Sequence, residues 1–170
     1  WRKIQNKKIS LEQLTDIVEY DCDAIIISDY CKGFLNEDAI SFICKTSRAK
    51  TFLNTKKKIT SNLLWADFIQ VNQFEYQESK KFLTEYEEDL VKEKLIVTYG
   101  EKGCYYKRKL IPQENKVEAM DLSGAGDTFL SAFVVHLLLN SKTKYHIENA
   151  ISYAQMCASD VVKRRGVVTI

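Results

Sequence analysis

The chain of 170 residues carries 25 Lys and Arg against 23 Asp and Glu, a net charge of +2, which argues against binding nucleic acid through phosphate neutralisation. No apolar run is long enough to span a membrane, and the 45% of hydrophobic residues is ordinary for a globular domain. The five cysteines are scattered and contain no CxxC pair, which favours a reducing cytoplasm over a disulfide framework or a zinc site.

Short apolar runs alternate with amphipathic segments along the first half of the chain. The run Ala24–Ser28 is rich in β-branched residues and is typical of a strand buried on both faces, as in a parallel sheet. Ser10 and Asn36 precede amphipathic segments and are candidate helix caps. The elements predicted here are helices over Leu11–Tyr20, from Glu37, over Glu75–Lys81 and over Glu85–Glu93, strands over Ala24–Ser28, Lys50–Asn54 and Phe68–Asn72, and a helical turn over Ser61–Trp65. The lysine run within Leu53–Lys58 is typical of a solvated surface.

The second half continues the alternation. A strong strand is predicted over Lys94–Gly100, and the stretches GCYYKRK and KVEAM, separated by Pro112, have the character of a hairpin. Asp127–Leu139 is apolar almost all round and predicts a buried helix, and His146–Lys163 predicts an amphipathic one. The pattern predicts one α/β domain over residues 1–170, with a mostly parallel sheet and helices on both faces.

The stretch DLSGAGDTF, Asp121–Phe129, places two of the six glycines around Ala125 immediately before an acid. Consecutive N–H groups of Gly124, Ala125 and Gly126 at a helix N-terminus can hold a phosphate or a developing anion. Asp127 follows in the first helical turn, where its carboxylate could act as a general base toward a hydroxyl. The same residue could instead serve only as a helix cap.

Four stretches in series carry a family resemblance. DLSGAGDTF resembles the D-x-x-G-A-G-D signature of the ribokinase-like (PfkB) carbohydrate kinases, and VNQFE (Val71–Glu75) resembles their N-x-x-E motif. VTYGEKG (Val97–Gly103) is similar to their nucleotide-binding strand and turn, and SDYCKG (Ser28–Gly33) to a motif of the branch that phosphorylates D-glycero-β-D-manno-heptose 7-phosphate at O1. The resemblance implies a Rossmann-like, three-layer αβα fold.

The resemblance also implies roles for particular residues. Asp127 would be the catalytic base, and the Gly124, Ala125 and Gly126 amides would hold the transferring phosphoryl group. ATP is the implied co-substrate and Mg²⁺ the implied metal, an ion that prefers oxygen ligands. The residues implied by position are Asn72 and Glu75 for Mg²⁺, Thr98, Gly100, Gly103 and Gln155 (where the family commonly has Asn) for the nucleotide, and Asp29 and Lys32 for the sugar or sugar phosphate.

Relatives in this family carry an additional N-terminal half with sugar-binding glycines and a lid. The chain begins at Trp1 without Met, so we interpret it as the C-terminal portion of such a kinase, truncated at its N-terminus. We expect this portion alone to be inactive, and to self-associate through an uncovered sheet edge. Two alternatives stay open: a non-catalytic nucleotide-binding or assembly fragment, and a kinase for ribose, fructose or adenosine.

Overall fold

The structure, a computed structural model, describes residues 8–85, 91, 93–114, 117, 119–140 and 146–163. The chain divides into two compact units, Trp1–Lys94 and Leu95–Ile170. The first unit contains α1 (Leu11–Glu19), β1 (Ala24–Asp29), α2 (Glu37–Thr46), β2 (Lys50–Thr55), a 3₁₀ turn (Leu63–Trp65), β3 (Phe68–Asn72) and α3 (Gln73–Glu85). The second contains β4 (Leu95–Thr98), β5 (Cys104–Tyr106), β6 (Lys109–Ile111), α4 (Ala125–Leu139) and α5 (His146–Val162).

In the first unit, β1, β2 and β3 pair in parallel, in that order. β2 is central among the three and is buried from Thr51 to Thr55. Its Phe52 ring stacks on that of Phe68 in β3, with 5.4 Å between the ring centroids. Helices alternating with parallel strands confirm the predicted α/β class.

β1 corrects one expectation. Its residues alternate between the two faces, so that Ile27 and Asp29 are buried while Ile26 is 44% exposed. The prediction of a strand buried on both faces was therefore wrong. A run of isoleucines shows that a strand is apolar, but its burial depends on what covers each face of the sheet.

The helix starts in this unit follow their local sequence. Ser10 and Gln13 form a reciprocal capping box, in which each side chain accepts the other residue's backbone N–H, at 3.2 and 3.0 Å. Asn36 Oδ1 accepts the Ala39 N–H at 2.8 Å and caps α2. Both caps are confirmed. The helix predicted over Glu75–Lys81 is longer, because α3 runs over Gln73–Glu85, and most of the one predicted over Glu85–Glu93 lies outside the described residues.

In the second unit, β4 pairs antiparallel with β5, and β5 antiparallel with β6. The hairpin is tighter than expected: β5 returns as β6 through Lys107 and Arg108, both with positive φ, 50° and 61°. A two-residue turn with positive φ at both positions matches the right-handed twist of paired strands. The expected partner, KVEAM, was wrong in its described residues, since Val117, Ala119 and Met120 lie outside any strand.

α4 and α5 pack extensively on each other. α4 begins at Ala125, two residues before the predicted start, and places Gly126 inside the helix. It buries Phe129 and Phe133, whose rings stack at 6.4 Å, but Leu139 is 79% exposed. The prediction of burial all round was therefore too broad. None of the helices that the structure describes is long and apolar enough to cross a membrane.

Candidate functional site

Polar side chains collect at the carboxyl ends of the parallel strands in the first unit. β3 ends at Asn72, and Asn72 Oδ1 accepts the N–H groups of Phe74 and Glu75 at 2.9 and 3.0 Å. Glu75 Oε2 accepts the Asn72 N–H in return, at 2.8 Å. The N-x-x-E segment thus forms a reciprocal capping box at the start of α3. Both predicted metal residues are thus brought together, and each side chain accepts a hydrogen bond from the backbone of the other.

The other carboxylate oxygen of Glu75 meets a lysine from the neighbouring strand end. Lys56, immediately after β2, places Nζ 2.6 Å from Glu75 Oε1. The Glu75 side chain is only 11% exposed, whereas that of Lys56 is 43% exposed. An ion pair with one partner largely buried is less screened by solvent than a surface pair.

This donor set fits a magnesium ion held partly through water. Asn72 and Glu75 supply oxygen atoms, which Mg²⁺ prefers, and Mg²⁺ commonly keeps several waters while using one or two protein carboxylates. Each of the oxygens already accepts a hydrogen bond, which favours contact through metal-bound water. Among the described residues, no three His, Cys, Asp or Glu side chains cluster as a complete protein-only metal site.

Asp29, predicted to contact the sugar, is 5% exposed and engaged by its own unit. Its Oδ1 accepts the Cys31 N–H at 3.0 Å, and its Oδ2 accepts from Thr55 Oγ1 at 3.1 Å and from Lys57 Nζ. Lys57 Nζ also donates to the Leu35 carbonyl at 3.1 Å. These hydrogen bonds hold the turn after β1 in place whether or not the turn contacts a ligand. Lys32, the other predicted sugar contact, is exposed in that turn.

The second unit carries the glycine-rich helix start. Gly124 precedes α4 in the left-handed conformation, at φ 80°, and as a glycine it offers no side chain to cap the helix. Helix geometry leaves the first-turn N–H groups without partners inside the helix, and the positive end of the helix dipole lies there. The Ala125 N–H donates to the Leu122 carbonyl at 3.3 Å, so the predicted set of three amides is in part already used by the preceding turn. Asp127 is exposed in the first turn.

Thr98, Gly100 and Gly103 belong to one tight turn between β4 and β5. The Tyr99 N–H donates to the Gly103 carbonyl at 2.8 Å, and the Gly103 N–H donates to the Gly100 carbonyl at 3.0 Å. Gly100 has φ 58° and open space where a Cβ would lie. A Cβ on Gly103, at φ 106°, would collide with the Ile111 carbonyl and come within 2.8 Å of the Gln113 nitrogen. Gly103 is therefore demanded by backbone packing, independently of any ligand.

Gln155 approaches the same carbonyl from α5. It is 5% exposed, and its Nε2 donates to the Ile111 carbonyl at 3.3 Å. Its Oε1 is buried and, among the described parts of the chain, has no hydrogen-bond partner. A buried amide oxygen without a donor costs about 1–3 kcal/mol, so a ligand N–H would stabilise it. The structure thus brings together two of the four predicted nucleotide residues, Gly103 and Gln155, around the Ile111 carbonyl.

The sequence did not predict the ion pairs of the lysines that follow β2. Lys56 and Lys57 lie in a run predicted to be solvated, yet both form ion pairs, and the Lys57 side chain is only 20% exposed. It also missed a buried amide pair, in which Asn54 Nδ2 donates to Gln70 Oε1 at 2.8 Å. The partners lie 16 to 28 residues apart, so only the pairing of the strands could have indicated these contacts.

Comparison with known proteins assigns the class. The fold is that of the ribokinases: the crystal structure of ribokinase from Thermotoga maritima matches 92% of this chain and 55% of its own, with a TM-score of 0.68 at 22% identity. The fold class predicted from the sequence is confirmed. The family model for pfkB family carbohydrate kinases matches residues 65–170, which include both the N-x-x-E and the GAGD segments. The chain belongs to the pfkB carbohydrate kinase family.

Curated relatives cover different shares of the chain. The bifunctional protein HldE of Nitratiruptor sp. is 28% identical over 187 residues, which take in 97% of this chain. Probable fructokinase-5 of Arabidopsis thaliana is 37% identical over 83 residues, 44% of this chain. The chain spans 39% of the first relative's length and 25% of the second's.

Proposed function

We propose that this chain is the nucleotide-binding and catalytic portion of an ATP-dependent kinase that phosphorylates a hydroxyl of a sugar or sugar phosphate. The observation that carries the proposal is the start of α4, where Gly124 is left-handed and offers no side chain to cap the helix, and where Asp127 is exposed in the first turn. The N-terminus of a helix favours an anion such as a phosphate. Phosphoryl transfer needs mainly positioning and charge stabilisation from the protein.

We assign the roles from the family motif that each segment resembles. Asp127 accepts the proton of the acceptor hydroxyl, and the amides of the first turn of α4 stabilise the charge of the transferring phosphoryl group. Asn72 and Glu75 hold Mg²⁺ through its waters, and the bound ion would neutralise charge on the nucleotide phosphates. Thr98, Gly100 and Gly103 form the nucleotide-side turn, and Oε1 of Gln155, which has no hydrogen-bond partner among the described residues, would accept an N–H from the base.

For the acceptor we propose a heptose 7-phosphate, converted to the 1,7-bisphosphate for ADP-heptose synthesis in the cytoplasm. Two features support this choice over ribose, fructose or adenosine. SDYCKG (Ser28–Gly33) resembles the heptose-kinase motif, and relatives named bifunctional protein HldE match along 97% and 96% of the chain. Asp29 and Lys32 remain the proposed residues on the sugar side, with Asp29 acting by fixing the turn that presents Lys32.

The kinase proposal is tested by Asp127→Asn in the full-length protein. Asn keeps the size and hydrogen-bonding reach of the side chain but cannot take a proton. Turnover with heptose 7-phosphate, followed by ADP release, should fall by about 10²–10⁴-fold, while the affinity for Mg·ADP stays within about twofold. Asp160→Asn is the matched control, because Asp160 is also an exposed helical acid, and its ion pair with nearby Lys163 lies at the end of a different helix.

Two results would contradict the proposal. Near-normal turnover of Asp127→Asn would leave Asp127 only an electrostatic role, as an acid in the first turn of α4. Nucleotide binding by the unsubstituted full-length protein without any phosphoryl transfer would favour the alternative, a non-catalytic nucleotide-binding or assembly module.

We also propose that the isolated chain self-associates, and light scattering measures this.

A further inference from the structure

The ion pair between Lys56 and Glu75 offsets the negative charge of the proposed metal site at Asn72 and Glu75. Glu75 is the only acid of the corner formed by Asn72, Glu75 and Lys56, and Lys56 Nζ lies 2.6 Å from its Oε1. The carboxylate charge is thus already offset by an ammonium group. Asn72 contributes no charge.

A second source of positive potential lies at the same place. Asn72 and Glu75 stand at the N-terminus of α3, a helix of 13 residues. Aligned peptide dipoles place about half a positive charge at a helix N-terminus. The corner therefore combines one carboxylate with an ammonium group and a positive helix end, a balance that disfavours a bare cation.

The hydrogen bonds of Glu75 keep its carboxylate beside Lys56. Its Oε2 is held by the Asn72 N–H at 2.8 Å, and the side chain is only 11% exposed. Lys56, 43% exposed and on a flexible stem, is the partner that can move. The corner can therefore gain net negative charge more easily by releasing Lys56 than by moving Glu75.

We infer that Lys56 is a positioning residue that weakens metal binding at Asn72–Glu75 until nucleotide phosphates arrive, so that the divalent cation loads mainly with the nucleotide rather than before it. This inference rests on the proposed function. Nucleotide phosphates supply the negative charge that the corner lacks and offer Lys56 an alternative anionic partner. Without nucleotide, the ammonium group of Lys56 offsets the Glu75 carboxylate charge that would attract the metal.

The test is a titration of the protein with Mn²⁺ alone, in the absence of nucleotide, with free Mn²⁺ followed by electron paramagnetic resonance. Lys56→Gln keeps a polar side chain of similar reach and removes the charge. A divalent ion about 6–7 Å from Nζ in a water-like dielectric should then bind about tenfold more tightly. Lys56→Arg keeps the charge and should bind Mn²⁺ as weakly as the unsubstituted protein. Adding Glu75→Gln to Lys56→Gln should abolish the gain.

Lys58→Gln is the matched control, because it removes the same charge from an exposed side chain two residues along. Thermal melts of each variant establish that it folds. Equal or weaker Mn²⁺ binding by Lys56→Gln would overturn the inference, and so would an equal gain in Lys58→Gln or no measurable binding in any variant. These results leave the kinase proposal standing, since that proposal is decided by the turnover of Asp127→Asn.

Discussion

Gly103 offers the sharpest test of how backbone packing shapes the turn between β4 and β5. Its φ of 106° and ψ of −150° lie in a region that is essentially restricted to glycine. A methyl group there would strike the Ile111 carbonyl and lie 2.9 Å from the Pro112 Cα. These neighbours are backbone atoms, which cannot turn aside as a flexible side chain could.

The cost of Gly103→Ala has two parts. Holding alanine in this region costs about 1–3 kcal/mol, and forcing the backbone after β6 to move aside costs about 1–3 kcal/mol more. We therefore expect a loss of about 2–6 kcal/mol in the free energy of unfolding. Gly100→Ala is the matched control: at φ 58° with open space around its Cβ, it should lose only about 1 kcal/mol.

Urea unfolding followed by circular dichroism measures both variants. With a slope of about 2 kcal/mol per molar urea, Gly103→Ala should lower the midpoint by roughly 2 M and Gly100→Ala by roughly 0.5 M. Free energies of unfolding within about 0.5 kcal/mol of each other would refute the reasoning, because the two variants differ in the collision rather than in the residue introduced.

Three further outcomes are expected. The isolated chain should bind Mg·ADP weakly, and calorimetry showing no heat at millimolar nucleotide on a folded sample would contradict this. Lys57→Met should lower the free energy of unfolding by about 3 kcal/mol, because it leaves the buried carboxylate of Asp29 without its cation. Urea unfolding measures this loss, and a loss no larger than that of Lys58→Met would count against the prediction. Burial raises the pKa of Cys104 from 9.0 to about 12, leaving about 10⁻⁴ of it as thiolate at pH 8. A thiol reagent should therefore modify exposed Cys31 long before Cys104, and equal rates by mass spectrometry would exclude this.

Local signals were sufficient to predict much of the fold. Ser10 and Asn36 cap helices in the structure as their side chains and positions indicate. The strand over Phe68–Asn72 is observed with the predicted bounds. Such features depend on residues within one turn or one strand, so a single sequence contains the information that determines them.

Other features were not predictable, either because their own residues give no signal or because their partners are distant in the chain. The turn at Lys107–Arg108 contains neither Gly nor Asn, the residues that usually signal positive φ. The contact of Lys57 with Asp29 joins residues 28 apart in the chain. The proposed catalytic residues were identified by motif, and their chemical roles stay predictions until the kinetics are measured.

The reciprocal cap between Asn72 and Glu75 has a consequence for comparing sequences. Because each side chain fastens the start of α3 to the end of β3, loss of either would loosen the helix even in a protein that never binds metal. A lineage that had abandoned catalysis would still be under selection to keep this pair for stability. The presence of N-x-x-E in a related protein therefore indicates an intact strand–helix junction. Whether that protein is still an enzyme has to be judged from other residues.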